Sequence, residues 1–143
     1  MAAAEPSSQP TALAETLELV GDRWTLMVVA ALLGGARRFG ELQDELEGIA
    51  PNILSARLRR LIEQRMVVAE PYSRRPERFV YELTESGRGL AGPLRALSDW
   101  GARQAGGPTA LHLACGTPLE TVWYCRTCGE PVADDEAGEL DFA

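Results

Sequence analysis

The chain has 143 residues, of which 45% are hydrophobic, so it can form one compact domain with a small appendage. Its formal net charge of −7 argues against nucleic-acid binding if the charge is evenly spread. However, residues 51–80 hold seven arginines and three glutamates, whereas residues 111–143 hold one arginine and seven acidic residues. A basic centre beside an acidic end therefore leaves a nucleic-acid-binding surface possible.

The sequence shows no membrane or export signal. The longest apolar run, residues 26–33, has eight residues and is too short to cross a bilayer. Residues 1–10, MAAAEPSSQP, lack a basic start and an apolar stretch, so we expect a disordered leader and not a signal peptide. We therefore expect a cytoplasmic protein whose three cysteines stay reduced, and their odd number also argues against a closed set of disulfides.

Two helices and a short strand are predicted at the start of the chain. Apolar residues at helical spacing indicate a first helix over residues 12–20, which Gly21 ends. Asp22 is a suitable N-cap for a second helix, which is nearly all apolar and stops at the glycine pair 34–35. The segment 37–39 is predicted as a minimal strand.

Two further helices follow with a short connection. The third is predicted within residues 40–50, where Gly48 closes it, with Leu42 and Leu46 facing the core. The fourth is predicted over residues 51–66, since proline suits the first turn of a helix. Its apolar stripe lies at positions 54, 58, 61 and 62.

A β-hairpin is predicted after the fourth helix. Its strands are residues 67–73 and 78–83, and the polar turn between them, residues 73–78, carries three arginines. In the second strand the side chains expected to point inward are Phe79, Tyr81 and Leu83.

Thr84 is a suitable cap for one last long helix over residues 85–104, which Pro93 should bend. The order of four helices, a hairpin and a helix predicts a mainly α fold with a small β wing (α+β), that is, a winged helix-turn-helix. The predicted divisions are a leader (1–10), a winged helix-turn-helix domain (11–105), a zinc-ribbon-like appendage (106–133) and an acidic tail (134–143).

The third and fourth helices are spaced as a helix-turn-helix, whose second helix enters the major groove of DNA. The exposed face of the fourth helix offers arginines for guanine, an asparagine for adenine and a serine for a base or a phosphate. Arginines of the hairpin can reach phosphates or the minor groove. An ordinary solvated helix and charged turn is the alternative, but two adjacent basic elements favour DNA binding. The predicted DNA-binding residues are Arg38, Asn52, Ser55, Arg57, Arg59, Arg60, Arg74, Arg75 and Arg78.

Four segments resemble the HxlR family of winged-helix regulators, which are related in fold to the MarR regulators. They are LELVGDRWTLMVV (17–29), RRFGELQ (37–43), IAPNILSARLRRL (49–61) and VYELTESGRGL (80–90), in matching order and spacing. The resemblance implies a dimeric DNA-binding repressor or activator whose dimer is built from the first and last helices. The implied interface residues, for which core packing within one subunit is the alternative, are Leu13, Leu17, Leu94, Leu97 and Trp100.

One position departs from the family pattern. Several members sense electrophiles through a cysteine at the start of the first helix, and Thr11 occupies that position here. Threonine has no redox chemistry, so we expect that kind of sensing to be lost, and the inducing signal stays open.

The C-terminal part contains two ligand pairs, each followed by glycine: His112-x2-Cys115 and, nine residues later, Cys125-x2-Cys128. One histidine and three cysteines make a complete tetrahedral zinc set, and glycine after the second ligand permits the tight turn. With all four positions filled, the zinc is expected to be structural. The alternative is two reduced pairs without metal.

The favoured function is a sequence-specific transcriptional regulator that acts as a homodimer, with repression favoured over activation. The alternatives are a protein-interaction module that has lost DNA reading, and a zinc-responsive regulator. An enzyme is not expected, since the chain has no phosphate-binding loop and no nucleophile paired with a base. A small-molecule pocket could use Trp24, Tyr81 and Trp100, but ordinary core packing is favoured for all three.

Overall fold

The computed structural model describes residues 11–133 and 135–136. The described residues divide into a central unit, Val20–Pro108, and a terminal unit composed of residues 11–19, 109–133 and 135–136. The predicted divisions at residues 10, 105 and 133 stay a prediction. The predicted leader, and all of the predicted acidic tail except residues 135–136, lie outside the described residues.

The order of the helices and strands is close to the predicted one. In chain order the described elements are α1 (Ala12–Val20), α2 (Arg23–Leu33), β1 (Arg37–Arg38), α3 (Phe39–Glu45), α4 (Pro51–Glu63), β2 (Val67–Arg74), β3 (Glu77–Leu83), α5 (Glu85–Arg88), α6 (Ala91–Gln104), β4 (Trp123–Cys125) and β5 (Glu130–Val132).

The core of the central unit lies between α2, α3, α4 and the base of the hairpin. Helix α4 contributes Leu54, Leu58 and Leu61, all buried, as its apolar stripe predicts. The prediction is wrong for Ile62, whose exposed fraction is 38%, because it lies at the edge of the stripe. The remaining buried apolar side chains of this cluster are Val20, Val28, Val29, Ala31, Leu32, Leu42, Leu46, Ile49, Met66, Val67 and Leu83.

Helix α3 is shorter than predicted. It starts at Phe39, which was expected in the strand, and ends at Glu45, before Gly48, the residue expected to close it. The chain then turns, with the N–H of Ile49 donating to the carbonyl of Leu46 at 3.1 Å and Gly48 at a φ of +87°. Leu46 and Ile49 are nevertheless buried, so apolar spacing continued beyond the end of the helix.

The sheet of the central unit has the antiparallel order β1-β3-β2. The predicted hairpin is present, but its strands are longer than predicted, since β2 and β3 pair from Val67 with Leu83 as far as Arg74 with Glu77. Only Arg75 and Pro76 remain in the turn, and the peptide bond between them is cis. The polar residues at 73–78 therefore mostly belong to strands, because an exposed ribbon is held by backbone hydrogen bonds and does not need apolar side chains.

The predicted long last helix is two helices, α5 and α6. Thr84 caps α5 as predicted, with its Oγ1 accepting from the N–H of Gly87 at 3.2 Å. The N–H of Gly89 donates to the carbonyl of Glu85 at 3.0 Å and closes this single turn. Pro93 does not bend a helix, because it lies in the first turn of α6, where backbone N–H groups have no partner within the helix.

In the terminal unit, β4 and β5 pair antiparallel from Trp123 with Val132 to Cys125 with Glu130. An isolated antiparallel bridge joins Leu111 to Pro118. Across residues 11–133 and 135–136, none of the helices combines the length and apolar character that crossing a membrane would require.

Candidate nucleic-acid interface

Helix α4 is fixed in the central unit at both ends and along one face. Its buried leucines pack on the core, and Pro51 occupies its first position. At its other end Arg65 has a φ of +58°, which reverses the chain into β2. The carbonyl of Arg65 accepts a hydrogen bond from the hydroxyl of Thr84 at 2.7 Å. The packing of its inner face on the core therefore leaves the outer face of the helix open to solvent.

The outer face of α4 carries the polar side chains that the sequence analysis selected. Asn52, Ser55 and Arg59 are exposed and follow one another at three or four residues, so they lie along one line of the helix. Ala56, Arg60 and Glu63 are exposed on the same side. An open groove of about 320 Å³ runs along this face, lined by Ser55 and Arg59 and by Tyr81 of β3.

Arg57 has a different position from the other predicted DNA-binding arginines. It is half-buried, and its Nε donates to Oδ1 of Asp22 at 2.8 Å. The same carboxylate caps α2, accepting from the N–H of Thr25 at 3.1 Å and from the Thr25 hydroxyl. Arg57 therefore connects α4 to the start of α2, and we remove it from the residues expected to read bases.

Asp22 is held in its charged form by these contacts. Burial opposes its ionisation, but the hydrogen bonds from Thr25 and the charge of Arg57 outweigh that effect and lower its pKa below the usual value. The sequence analysis identified Asp22 as a cap but did not find its bond to Arg57, which is 35 residues away along the chain.

The hairpin presents a second group of arginines. Arg74, Arg75 and Arg78 are all exposed at or near its turn. Arg38 lies beside the hairpin, with its guanidinium carbon 4.5 Å from the centre of the Tyr72 ring. This cation–π contact orients Arg38. The sequence analysis assigned no role to Tyr72. An open groove of about 300 Å³ is lined by residues that include Arg38, Tyr72 and Arg78.

The residues implied in dimer formation are mostly exposed in the single chain. On α1, Leu13 and Leu17 are exposed, and Thr11 caps this helix by accepting from the N–H of Ala14 at 3.1 Å. On α6, Leu97 and Trp100 have exposed fractions of 56% and 59%. The fifth residue, Leu94, instead packs partly against the core of the central unit.

The predicted metal ligands lie in the terminal unit as two pairs. In the first, His112 Nδ1 lies 3.2 Å from Cys115 Sγ, and hydrogen bonding with Thr117 lowers the pKa of the Cys115 thiol. In the second, the N–H of Cys128 donates to Cys125 Sγ at 3.5 Å, which lowers the pKa of Cys125. Within the described ranges, no three His, Cys, Asp or Glu side chains come together closely enough to hold a metal ion.

The three aromatic residues considered for a small-molecule pocket have separate environments. Trp24 and Tyr81 pack partly against the core, whereas Trp100 is exposed. Tyr81 lines both open grooves described above, which Trp24 and Trp100 do not line. The structure therefore does not bring the three into either groove.

Comparisons with known proteins agree with this architecture. The family model described as HxlR-like helix-turn-helix matches residues 19–107. The HTH-type transcriptional regulator Rv3095 of Mycobacterium tuberculosis, whose name calls it uncharacterized, is 43% identical over 121 residues, which cover 81% of this chain and 76% of that protein. The crystal structure of PA1607, assigned as a transcription factor, has a TM-score of 0.71 and 33% identity, and the match covers 92% of this chain and 93% of that one. That of PA1374 from Pseudomonas aeruginosa, also so assigned, has a TM-score of 0.67 and 32% identity over 86% of each chain.

Proposed function

Because the chain belongs to the HxlR-like helix-turn-helix family, we propose that this DNA-binding transcriptional regulator reads a specific operator as a homodimer and represses the genes it controls. The HxlR-like family and the relatives named above are transcriptional regulators, which are not enzymes. The observation that carries the proposal is the exposed polar face of α4, which lies in the same unit as an arginine-bearing hairpin. A regulator of this kind works where the DNA is, in the cytoplasm.

Sequence reading is assigned to α4. An α-helix fits the major groove, where arginine can donate two bonds to guanine and asparagine can pair with adenine. Asn52 and Ser55 lie in the first half of α4, the part of a recognition helix that contacts bases, and Arg59 lies one turn further on. The role of Arg57 is to hold the helix against α2 through Asp22.

Binding of the DNA backbone is assigned to the hairpin. Arginines at its turn reach beyond the helix and can bind phosphates or enter the adjacent minor groove. Arg38 belongs to this group, because its stacking on Tyr72 keeps its guanidinium beside β2. Contacts of this type give affinity and register but little sequence information, and they make binding sensitive to salt.

The homodimer is supported by the exposed apolar side chains of α1 and α6. Helix α6 has no buried residue, although Leu97 and Trp100 are large and apolar. Burying a leucine side chain stabilises an assembly by about 1.5–3 kcal/mol, so a second copy gains free energy by covering the exposed side chains of each helix. Two copies present two recognition helices, which calls for an operator with two half-sites.

In vitro selection from a library of random duplexes tests the operator proposal. We expect enrichment of an inverted repeat whose half-site centres are about 10 bp apart, or a multiple of that distance. Transcription in vitro from a promoter containing that repeat should fall when the protein is added. A folded protein that enriches no motif would overturn the proposal and favour an interaction module.

Sedimentation velocity tests the homodimer. Leu97→Glu should weaken self-association at least roughly a hundredfold, since the apolar contact occurs in both copies and a charge is placed in it. Arg95→Glu is the matched control, because Arg95 is exposed on the other side of α6 and the variant introduces the same residue. Equal self-association of the two variants would contradict the proposed interface.

A further inference from the structure

The first ligand pair lies in a tight turn of the terminal unit. The N–H of Gly116 donates to the carbonyl of His112 at 2.7 Å, and Gly116 has a φ of +72°. The bridge between Leu111 and Pro118 closes the base of this turn. We call residues 111–118 the first knuckle.

The second ligand pair lies in a turn with the same backbone plan. The N–H of Gly129 donates to the carbonyl of Cys125 at 2.8 Å, and Gly129 has a φ of +74°. Pairing of Cys125 with Glu130 closes its base. We call residues 125–130 the second knuckle. Both knuckles thus follow one pattern, in which a ligand, two intervening residues, a cysteine and a left-handed glycine come in that order. The two sequences are HLACG and CRTCG, and only the residues between the ligands and the first ligand itself differ.

The C-terminal segment lacks the core that could hold such turns in place. No residue in the range 109–133 is buried, and Leu113 is fully exposed. All three cysteines lie in that range and carry free thiols, so no disulfide holds it together. Segments of this size without a core usually require a disulfide, a metal or a partner for stability.

We propose that the two knuckles bind one zinc ion, with His112 and Cys115 supplied by the first and Cys125 and Cys128 by the second. Three thiolates and one imidazole form a closed tetrahedral set, which is the coordination of a structural zinc site. The structure holds each pair in its own turn but does not bring three ligands to one point in the described residues. Zinc binding therefore draws the knuckles together, and binding is coupled to folding of this segment.

Cobalt titration of the reduced, metal-free full chain tests the site. We expect one cobalt ion per chain, with the visible absorption of tetrahedral cobalt and a thiolate-to-cobalt charge-transfer band, both removed by one equivalent of zinc. Cys115→Ser and Cys128→Ser should each weaken zinc binding at least about a hundredfold, beyond the effect typical of losing an outer-shell partner. Arg59→Ala, on α4, is the control and should bind zinc as the wild type does.

A pair of glycine variants tests the knuckle geometry without removing a ligand. Gly129→Ala should weaken zinc binding roughly tenfold, because alanine is strained at this positive φ. Gly101→Ala should leave binding unchanged, because Gly101 lies in α6 and an added methyl group meets open space. Circular dichroism of the metal-free variants checks that the helical central unit is folded.

Three results would overturn the proposal. They are the absence of the tetrahedral spectrum, a stoichiometry of one ion per two chains, and unchanged affinity after loss of a cysteine from either knuckle.

Discussion

Replacing Asp22 by alanine should remove the contacts that hold the start of α2 against α4. Asp22 Oδ1 accepts from the N–H of Thr25 and from Nε of Arg57, and Oδ2 accepts from the Thr25 hydroxyl. Thr25 is fully buried, so its hydroxyl loses the carboxylate that accepts its hydrogen bond in the folded protein. The variant therefore loses a helix cap and an ion pair and leaves a buried hydroxyl unsatisfied.

The magnitude follows from these three effects. Loss of an N-cap costs about 1 kcal/mol. An unsatisfied buried hydroxyl costs about 1–3 kcal/mol. The ion pair contributes at most about 1 kcal/mol, because the Arg57 and Asp22 side chains keep exposed fractions of 28% and 34% and are screened by solvent. We expect a loss of about 3 kcal/mol in the free energy of unfolding, or a Tm roughly 12–24 °C lower for a unit of this size.

Urea denaturation followed by circular dichroism measures this loss, at one fixed protomer concentration because self-association shifts apparent stability. Glu47→Ala is the control, since Glu47 is an exposed carboxylate outside the helices, and its effect should stay within about 0.5 kcal/mol. Asp22→Asn keeps a capping oxygen but loses the charge, so it should cost about 1 kcal/mol at neutral pH. A loss below about 1 kcal/mol for Asp22→Ala would refute the reasoning.

The dependence on pH gives an independent check. The pKa of Asp22 is lower in the folded than in the unfolded chain, where its ordinary value is 3.8, so its charge stabilises the fold above that value. This contribution is lost as the pH falls through the lowered pKa of the folded protein. The stability difference between wild type and Asp22→Asn should therefore be constant above about pH 5 and shrink below about pH 4. A difference that grows in acid would contradict the assignment.

Three further variants and one control test the fold and the hairpin. Gly87→Ala should lower the free energy of unfolding by about 1–3 kcal/mol, because its methyl group would overlap the carbonyl of Met66. Gly92→Ala, whose methyl group meets open space, should leave stability unchanged, and urea midpoints compare the two variants. Arg65→Gly should leave the free energy of unfolding unchanged or raise it by up to about 1 kcal/mol, because glycine adopts the left-handed conformation found there without strain. A clear loss of stability would show that the arginine side chain matters more than its φ. Tyr72→Ala should weaken DNA binding about twofold to fivefold by releasing the stacked guanidinium, as anisotropy would measure, and an unchanged Kd would remove Tyr72 from the interface.

Local signals in the sequence predicted the elements well where short-range chemistry determines them. Asp22 and Thr84 both cap the helices that they were expected to cap. The break between α5 and α6 was missed, because the helical period of the leucines at 90, 94 and 97 begins only at the break and gives no signal for the residues before it. Gly87 of α5 packs closely on the carbonyl of Met66, which lies between α4 and β2, and no local pattern reports that contact.

The nucleic-acid interface was also predictable only in part. A clean apolar stripe on α4 implied which side chains face outward, and Asn52, Ser55 and Arg59 are exposed as expected. The pairing of Arg57 with Asp22 was not predictable, because it joins residues that are distant along the chain. The stacking of Arg38 on Tyr72 similarly depends on how β1 and the hairpin are placed in one sheet.

The most direct test of the central claim compares Arg59→Ala with Arg75→Ala on the selected operator and on a scrambled duplex, by fluorescence anisotropy at several salt concentrations. If Arg59 on α4 reads a base, its loss should cost about 1–3 kcal/mol on the operator alone and reduce the specificity ratio. If Arg75 at the hairpin turn binds phosphate, its loss should weaken both complexes equally and reduce the salt dependence by about one counterion. Equal weakening of both duplexes by Arg59→Ala, with an unchanged specificity ratio, would contradict the claim that α4 reads the operator.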